Sequence, residues 1–319
     1  MLDFSESNIL VLGDIMVDHY VVGSVHRMSP EAPVPVLEQE SETYKLGGAA
    51  NVARNIVSLG ASATLVGIIG DDTFGKMVYK LCEKSNIELE AISVDEKCTT
   101  VKSRFISGSE QLLRLDRENS NPISSDVVER ILNRIEALAL HQKFDAIILQ
   151  DYNKGLFTSD LIEKVISLAQ SNQWIIAVDP KIESIEHFTH VDIFKPNRKE
   201  FFALAKKLNL AGELEVSLPQ ALAIKEHMLC KSLWVTLGEK GVYYHDESGN
   251  EAIVPTTTNN IVDVCGAGDA VISMITLSTI KNLSSEKIAI LANLAGGLVC
   301  EELGVVPVRI EDVNQRLST

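Results

Sequence analysis

Asp263-Val264-Cys265-Gly266-Ala267-Gly268-Asp269 places two glycines and a carboxylate where the chain turns into a helix. The residues that follow, Ala270 to Ile280, read Ala-Val-Ile-Ser-Met-Ile-Thr-Leu-Ser-Thr-Ile and are small or apolar on nearly every side, as in a helix buried inside a larger protein. The first N–H groups of a helix have no acceptor within it and carry the positive end of its dipole. Gly266, Ala267 and Gly268 therefore offer donors to an anion. Asp269 at the same turn would repel that anion, unless its task is to take a proton from an incoming hydroxyl. A first-turn carboxylate favoured by the dipole is an equally simple explanation, and a lone Gly-Ala-Gly-Asp does not decide between the two.

Upstream of this turn the chain alternates strands and helices. Asn8 to Asp14 (Asn-Ile-Leu-Val-Leu-Gly-Asp) is a short apolar run ending in Gly-Asp, which suits a buried parallel strand with working residues at its carboxyl end. Strands are expected over Thr64–Gly70, Asp145–Leu149, Trp174–Asp179 and Ser232–Leu237, the last followed by an antiparallel partner, Val242–His245. Helices are expected from Leu46-Gly47-Gly48-Ala49-Ala50-Asn51 to Gly60, over Ser124–Leu140 and Thr158–Gln170, and over Glu286–Leu303 after a Ser284 cap. Helix alternating with strand implies an α/β fold with a doubly wound, mostly parallel sheet. Its strands end in Asp151-Tyr152-Asn153-Lys154-Gly155, Asp179-Pro180-Lys181 and Lys195-Pro196-Asn197-Arg198-Lys199-Glu200, and ligands of such sheets collect at those ends.

Two segments break the alternation. Ile15 to Glu40 carries Pro30, Pro33 and Pro35 and reads as extended chain, and Thr99 to Asp116 reads as a hairpin turning at Gly108. Together they suggest a small separate sheet, built from residues 15–45 and 97–118 and inserted into one domain spanning 1–319. Alternate spacing puts Lys102 and Arg104 on the same face of it. Gly70 to Met77 has the spacing of a Walker A loop, but Met77 lacks the metal-binding hydroxyl, and Asp71 and Asp72 would face the phosphates. A capped strand-to-helix turn is the better reading.

Composition narrows the classes. A net charge of −15 argues against nucleic acid and anionic membrane surfaces as partners, so any anionic ligand must be held by local donors. The hydrophobic share of 45% with 5% aromatics calls for a core of Ile, Leu, Val and Ala in a soluble enzyme. Five scattered cysteines without a Cys-x-x-Cys pair indicate neither a disulfide framework nor a zinc site, and fit a reducing cytoplasm. The N-terminus has no basic n-region of a signal peptide, and no apolar run reaches membrane-span length.

With these residues assembled, the chain resembles the ribokinase (PfkB) family of sugar kinases along nearly its whole length. Asp263 to Asp269 is similar to the family's D-T-x-G-A-G-D signature, Gly47-Gly48-Ala49-Ala50-Asn51 to its Gly-Gly signature, and Asn197-Arg198-Lys199-Glu200 to its N-x-x-E motif. Met28-Ser29-Pro30-Glu31-Ala32-Pro33-Val34-Pro35-Val36, with Asp151-Tyr152-x-Lys154-Gly155 and Val178-Asp179-Pro180-Lys181, resembles the branch that phosphorylates D-glycero-D-manno-heptose 7-phosphate at C1 in ADP-heptose and lipopolysaccharide-core precursor synthesis.

The resemblance implies a ribokinase-like fold, ATP and Mg²⁺ as cofactors, and roles for particular residues. Asp269 would be the base, and Gly266, Ala267 and Gly268 would hold charge on the transferred phosphoryl group. Asn197 and Glu200 would organise Mg²⁺, Glu200 through water. Thr236, Gly238, Gly241, Asp263 and Asn293 would line the ATP site, with a monovalent cation near Asp263 as a further expectation. Asp14, Asp18, Gly47, Gly48, Asn51, Asp151 and Lys154 would hold the sugar, and Lys102 and Arg104, from a small sheet acting as a lid, its 7-phosphate. Cys265 and Ala270 depart from the usual Thr or Ser and Thr beside the anion site. The branch is often fused to a nucleotidyltransferase; with no H-x-G-H motif here, the expectation is a stand-alone kinase. A homodimer through the lid sheets is also expected. Two alternatives stay open: another sugar kinase of the family acting on fructose, ribose or a sugar phosphate, and a non-catalytic sugar or nucleotide sensor.

Overall fold

The chain is described by a computed structural model over residues 1–108, 110–210, 215–256 and 261–318. Strands, in chain order, are β1 Asn8–Gly13, β2 Ile15–Met28, β3 Pro35–Gly48, β4 Ser62–Ile69, β5 Glu88–Ser93, β6 Thr100–Ser107, β7 Glu110–Arg117, β8 Ala146–Gln150, β9 Ile175–Asp179, β10 Ile193–Phe194, β11 Ser232–Thr236, β12 Val242–His245 and β13 Glu251–Val254. Helices are α1 Ala49–Ser58, α2 Thr73–Lys84, α3 Ser125–His141, α4 Ser159–Ser171, α5 Arg198–Lys207, α6 Leu218–Met228, α7 Ala267–Ile280, α8 Ser285–Cys300 and α9 Ile310–Leu317. Among the described residues no helix is long and apolar enough to cross a membrane.

A nine-stranded sheet runs in the order β13-β12-β11-β10-β9-β8-β1-β4-β5. It is parallel from β5 to β11, and the hairpin strands β12 and β13 add antiparallel pairs at one edge. The apolar run of β1 explains why helices cover both faces. Ile9 and Val11 enter one core with α1, α7 and α8, while Leu10 and Leu12 enter the other with α3 and α4. The chain winds from β1 to β4 and β5 on one side, then returns to β8 and continues to β9, β10 and β11 on the other. The switch point therefore lies between β1 and β8, with Asp14 and Asp151 just past their carboxyl ends.

The second sheet has four strands in the order β3-β2-β6-β7, with β2 and β6 parallel. Its hairpin is longer than the proline pattern suggests: β2 and β3 pair from Met28 with Pro35 down to Ile15 with Gly48, with register shifts near Gly23 and Val25. Leu46 and Gly47 belong to β3, where they oppose Val17 and Met16, and α1 begins only at Ala49. The run Ser29 to Val34 closes the distal turn on itself, with Ser29 N–H donating to Val34 O at 2.8 Å. The capped-turn reading of Gly70 to Met77 holds: Asp72 Oδ1 accepts from Gly75 N–H at 2.8 Å at the start of α2.

Helix α7 is buried from Asp269 to Ser278 and packs on α1 and α8. Its close approach to α8 depends on Gly296, where an added Cβ would lie 3.0 Å from Val271 Cγ2. The small residues of α8 thus serve helix packing, and Ala292, Gly296 and Gly297 also face the large cavity described below. Helix α8 ends at Cys300, short of the expected Leu303.

Candidate active site

The start of α7 is built on Gly266, which takes a left-handed conformation with φ 84° that a side chain would strain. The amides of Asp269 and Ala270 turn back to Gly266 O, each at 3.1 Å, and the Ala267 amide leans on Val264 O at 3.4 Å. Among the described residues the amides of Gly266 and Gly268 donate to no backbone carbonyl. Beside Gly268 the space is open, with Asp179 Oδ2 and Lys195 Nζ the nearest atoms to a notional Cβ at 3.9 and 4.0 Å. An anion placed there meets amide donors, a helix N-terminus and an ammonium group.

Asp269 is buried and held from three elements. Asn51 Nδ2 of α1 donates to Oδ2 at 2.8 Å, while the Tyr152 hydroxyl at 2.7 Å and Gln150 Nε2 at 3.4 Å donate to Oδ1. Burial pushes its pKa up to about 6; the hydrogen bonds from Asn51 and Tyr152 pull it back, and the nearby Asp179 pushes it further up. The carboxylate is thereby poised near neutrality, where a general base works best.

Around Asp269 lies an unusual set of acceptors. Asp14 Oδ1, Asn51 Oδ1 and Gln150 Oε1 are buried and have no hydrogen-bond partner among the described residues. Asp14 Oδ2 accepts from the amides of Tyr152 at 2.8 Å and Lys154 at 3.1 Å. Burial, with Asp151 close by, raises the Asp14 pKa to about 7. Orphaned buried acceptors cost free energy, and a ligand carrying several hydroxyl donors would satisfy them together.

Other residues named from sequence fall into three groups. Gly47 and Gly48 let β3 pass close to this centre: a Cβ on Gly47 would strike Asp18 Oδ2, and Gly48, at φ 58°, lies against Asp14 O. Asp18 is paired with Arg104, at 2.5 Å, and Lys154 with Glu118, at 2.8 Å. Lys102 has its ammonium 5.5 Å from the centre of the Tyr152 ring and, among the described residues, no carboxylate within ion-pair distance; burial lowers its pKa. Asp151 spends its carboxylate on Ser184 Oγ and on the amides of Asn153 and Lys181, so it shapes the loop after β8.

On the other side of Asp269 opens a cavity of about 1490 Å³ lined by Asn197, Thr236, Gly238, Gly241, Asn293 and the first turn of α7. Asn197 and Glu200 form a reciprocal cap at the start of α5: Asn197 Oδ1 accepts from the Glu200 amide at 3.0 Å, and Glu200 Oε2 from the Asn197 amide at 2.7 Å. Glu200 Oε1 pairs with Lys181 Nζ at 2.9 Å. Burial alone would lower the Lys181 pKa, but Asp179 and Glu200 outweigh it and raise it. Asp263 stands outside the cavity lining, with its oxygens accepting from the amides of Cys265 and Gly304, each at 3.0 Å. Among the described residues no three His, Cys, Asp or Glu side chains gather into a metal cage. Glu200 is not itself among the residues lining this cavity but pairs with Lys181, which is; a metal there would be held mainly by a ligand's own oxygens.

Sequence reasoning assigned no role to Gln150, Tyr152, Asp179, Lys181 and Lys195. Their position at strand ends was the available signal. Lys195 is buried and pairs with Asp179 at 3.0 Å, and Gln150 Nε2 also reaches Asp179, at 3.1 Å.

A pfkB family carbohydrate kinase model matches residues 6–311. The chain belongs to the pfkB family of carbohydrate kinases. This pfkB-family chain is 38% identical over 307 residues to the bifunctional protein HldE of Helicobacter pylori strain G27, and 36% identical over 308 residues to that of Sulfurimonas denitrificans. These alignments cover 96% of the chain but only 65% and 63% of the relatives, so the pfkB-family chain spans somewhat under two thirds of the length of these curated relatives. In structure it is similar to Escherichia coli phosphofructokinase-2 in complex with potassium (TM-score 0.81, 20% identity, 98% and 99% of the two chains). It is also similar to Arabidopsis thaliana ribokinase complexed with ribose and ATP (TM-score 0.73, 18% identity, the same coverage). The pfkB-family kinase thus has the ribokinase-like α/β fold and is an ATP-dependent sugar kinase.

Proposed function

We propose that this kinase transfers the γ-phosphoryl group of ATP to the C1 hydroxyl of D-glycero-D-manno-heptose 7-phosphate, giving the 1,7-bisphosphate. The observation that carries the sugar side is the ring of unpartnered buried acceptors, Asp14 Oδ1, Asn51 Oδ1 and Gln150 Oε1, around the base. A heptose presents hydroxyl donors to them. The phosphate end of the substrate is supported by Lys102, whose ammonium lies over the Tyr152 ring with Asp18 and Asp116 near it but, among the described residues, no carboxylate at ion-pair distance. Similarity to the bifunctional HldE proteins and the Ser-Pro-Glu-Ala-Pro-Val-Pro-Val run favour heptose over fructose or ribose.

In this reading ATP lies in the large cavity, with its γ-phosphate at the start of α7. Asp269 takes the proton of the C1 hydroxyl as that oxygen forms its bond to γ-phosphorus and the bond to the bridging oxygen breaks, leaving ADP. The amides of Gly266 and Gly268 and the Lys195 ammonium stabilise charge on the transferred group. Mg²⁺, when bound to the nucleotide, neutralises the phosphate oxygens, with Glu200 as its partner through water. The four-stranded sheet serves as the lid that carries Asp18, Lys102 and Arg104 to the sugar.

Incubation with ATP, Mg²⁺ and the heptose 7-phosphate should yield the 1,7-bisphosphate with a kcat/KM at least about a hundredfold above those for fructose 6-phosphate and ribose. Turnover of fructose 6-phosphate or ribose without the heptose phosphate would assign the chain to another sugar. Asp269→Asn that still phosphorylates at the wild-type rate would remove Asp269 from the role of base.

A further inference from the structure

Tyr152 touches the base and its surroundings on both the proposed sugar and phosphate sides. Its hydroxyl lies 2.7 Å from Asp269 Oδ1, its amide donates to Asp14 Oδ2 at 2.8 Å, and its ring is approached by Lys102 Nζ at 5.5 Å and Lys181 Nζ at 5.2 Å. The two oxygens of Asp269 are unequal as a result. Oδ1 receives Tyr152 and Gln150, which together fill its acceptor capacity, whereas among the described residues Oδ2 receives only Asn51 Nδ2. One acceptor site is left on Oδ2.

We propose that Tyr152 is a positioning residue for the phosphoryl transfer: its phenolic O–H closes Oδ1 of Asp269 and so commits Oδ2 to the sugar hydroxyl, while its ring braces the ammonium groups of Lys102 and Lys181. This rests on the reading of Asp269 as base. The phenol is suited to the task because burial, together with the neighbouring Asp269 and Asp179, holds its pKa well above the usual value, so it is a donor at every working pH. It differs from the other donors on Asp269 in lying on the loop after β8, whose amides also fix Asp14. Movement of that loop therefore changes the base and the sugar-binding carboxylate together.

The inference predicts a pH signature. Among the described residues Asp269 is faced by Asn51 from α1, Gln150 from the end of β8, Tyr152 from the loop beyond it, Asp179 from the end of β9 and Lys195 from beyond β10, of which Asp179 and Lys195 bring a carboxyl and an amino group. A donor to the charged carboxylate favours the charged form. Removing the phenolic O–H therefore raises the pKa of Asp269 and moves the acid limb of the rate profile upward.

The test compares wild type, Asp269→Asn and Tyr152→Phe with ATP, Mg²⁺ and the sugar substrate the wild type turns over. The expected result for Y152F is a kcat lower by about ten- to a hundredfold with KM for ATP unchanged within about twofold. Its acid limb should lie about one pH unit higher than that of wild type. If D269N is inactive while Y152F keeps the wild-type rate and acid limb, the Tyr152 inference falls and the base reading stands; if D269N stays active, the base reading itself falls. A Y152F enzyme with undiminished kcat and a lower sugar KM would also overturn the inference, since the phenol would then be only a stand-in that the substrate displaces. Incorporation of 3-fluorotyrosine, a stronger donor of the same shape, gives a second reading that does not depend on the folding of Y152F: the acid limb of the wild type should move down. An unmoved limb in the labelled enzyme counts against the inference.

Discussion

Arg104 Nη1 lies 2.5 Å from Asp18 Oδ1, with the two side chains only 11% and 5% exposed, and the guanidinium stacks over Tyr20 with its carbon 5.2 Å from the ring centre. The pair locks β6 to its parallel neighbour β2. Two residues assigned from sequence to the substrate thus hold each other, and Arg104 can reach a phosphate only by sharing or releasing Asp18. Removing one member of such a pair strands a buried charge, so Arg104→Met should lose about 3–5 kcal/mol of stability in denaturant unfolding. Asp18→Leu combined with Arg104→Met should recover much of that loss, because no charge is then left alone. A single variant as stable as wild type would show the pair to be solvated.

On the proposed reading of Asp269 as the base, the pH dependence of the reaction follows from its carboxylate. Burial raises its pKa to about 6, and the base works only when deprotonated. The rate at saturating substrate should be level above pH 7 and fall about tenfold per unit well below pH 6, a shape that Asp269→Asn abolishes along with most of the activity. Isothermal titration with a non-hydrolysable ATP analogue should find D269N binding within about threefold of wild type, since Asn keeps the size and shape of Asp269 at the cavity wall. An acid limb near pH 4 would mean that the carboxylate is far better solvated than its surroundings imply.

Asp72 separates a structural turn from a phosphate loop. Its carboxylate accepts from the amides of Gly75, at 2.8 Å, and Thr99, at 3.0 Å, and pairs with Arg117 at 3.1 Å. Asp72→Ala should therefore lower stability by about 1–2 kcal/mol through the lost cap, with the KM for ATP unchanged. A rise of tenfold in that KM would place the nucleotide at the Gly70 turn.

Much of the fold was legible because the buried strands write themselves as apolar runs closed by Gly or Asp, as β1 does with Ile9 to Leu12, and because Ser284 and Thr158 mark helix starts. The segments that sequence pattern missed are those with weak or ambiguous periodicity. Strand β5, Glu-Leu-Glu-Ala-Ile-Ser, has two acidic residues and sits at the sheet edge, and α6 has apolar residues spread around its axis without a clear stripe. The reach of β3 to Gly48 was hidden because Gly-Gly-Ala-Ala suits a helix start as well as a strand end, and only the pairing with Ile15 and Met16 decides it. In the site, motif residues such as Asp269 and Asn197 stand out by spacing. Gln150 and Lys195 do not, since each is one polar residue ending an apolar strand or following it, and its partner Asp179 comes from a different strand.

Strand β7 forms an outer edge of the small sheet and shows Leu113 and Leu115, 57% and 58% exposed, on one face, while Leu112 is 38% exposed on the other. Leu113 stands opposite Phe105 on β6 and Leu115 opposite Ser103, so the two leucines with Phe105 form a short apolar patch at the edge. An edge strand with unpaired backbone groups and such a patch is a template for association, and a second copy of the same sheet presents the matching surface. Light scattering at micromolar concentration should accordingly find about twice the mass of the chain. Leu113→Glu with Leu115→Glu should shift it to the monomer, because four carboxylates would face each other across a twofold axis, while the circular dichroism spectrum and the affinity for ATP stay as in wild type. If the small sheets close the sugar sites of a dimer, the KM for sugar should rise about tenfold in this variant and kcat change less. A wild-type chain that is monomeric under these conditions, or a double variant that keeps its mass, would move the association surface away from β7.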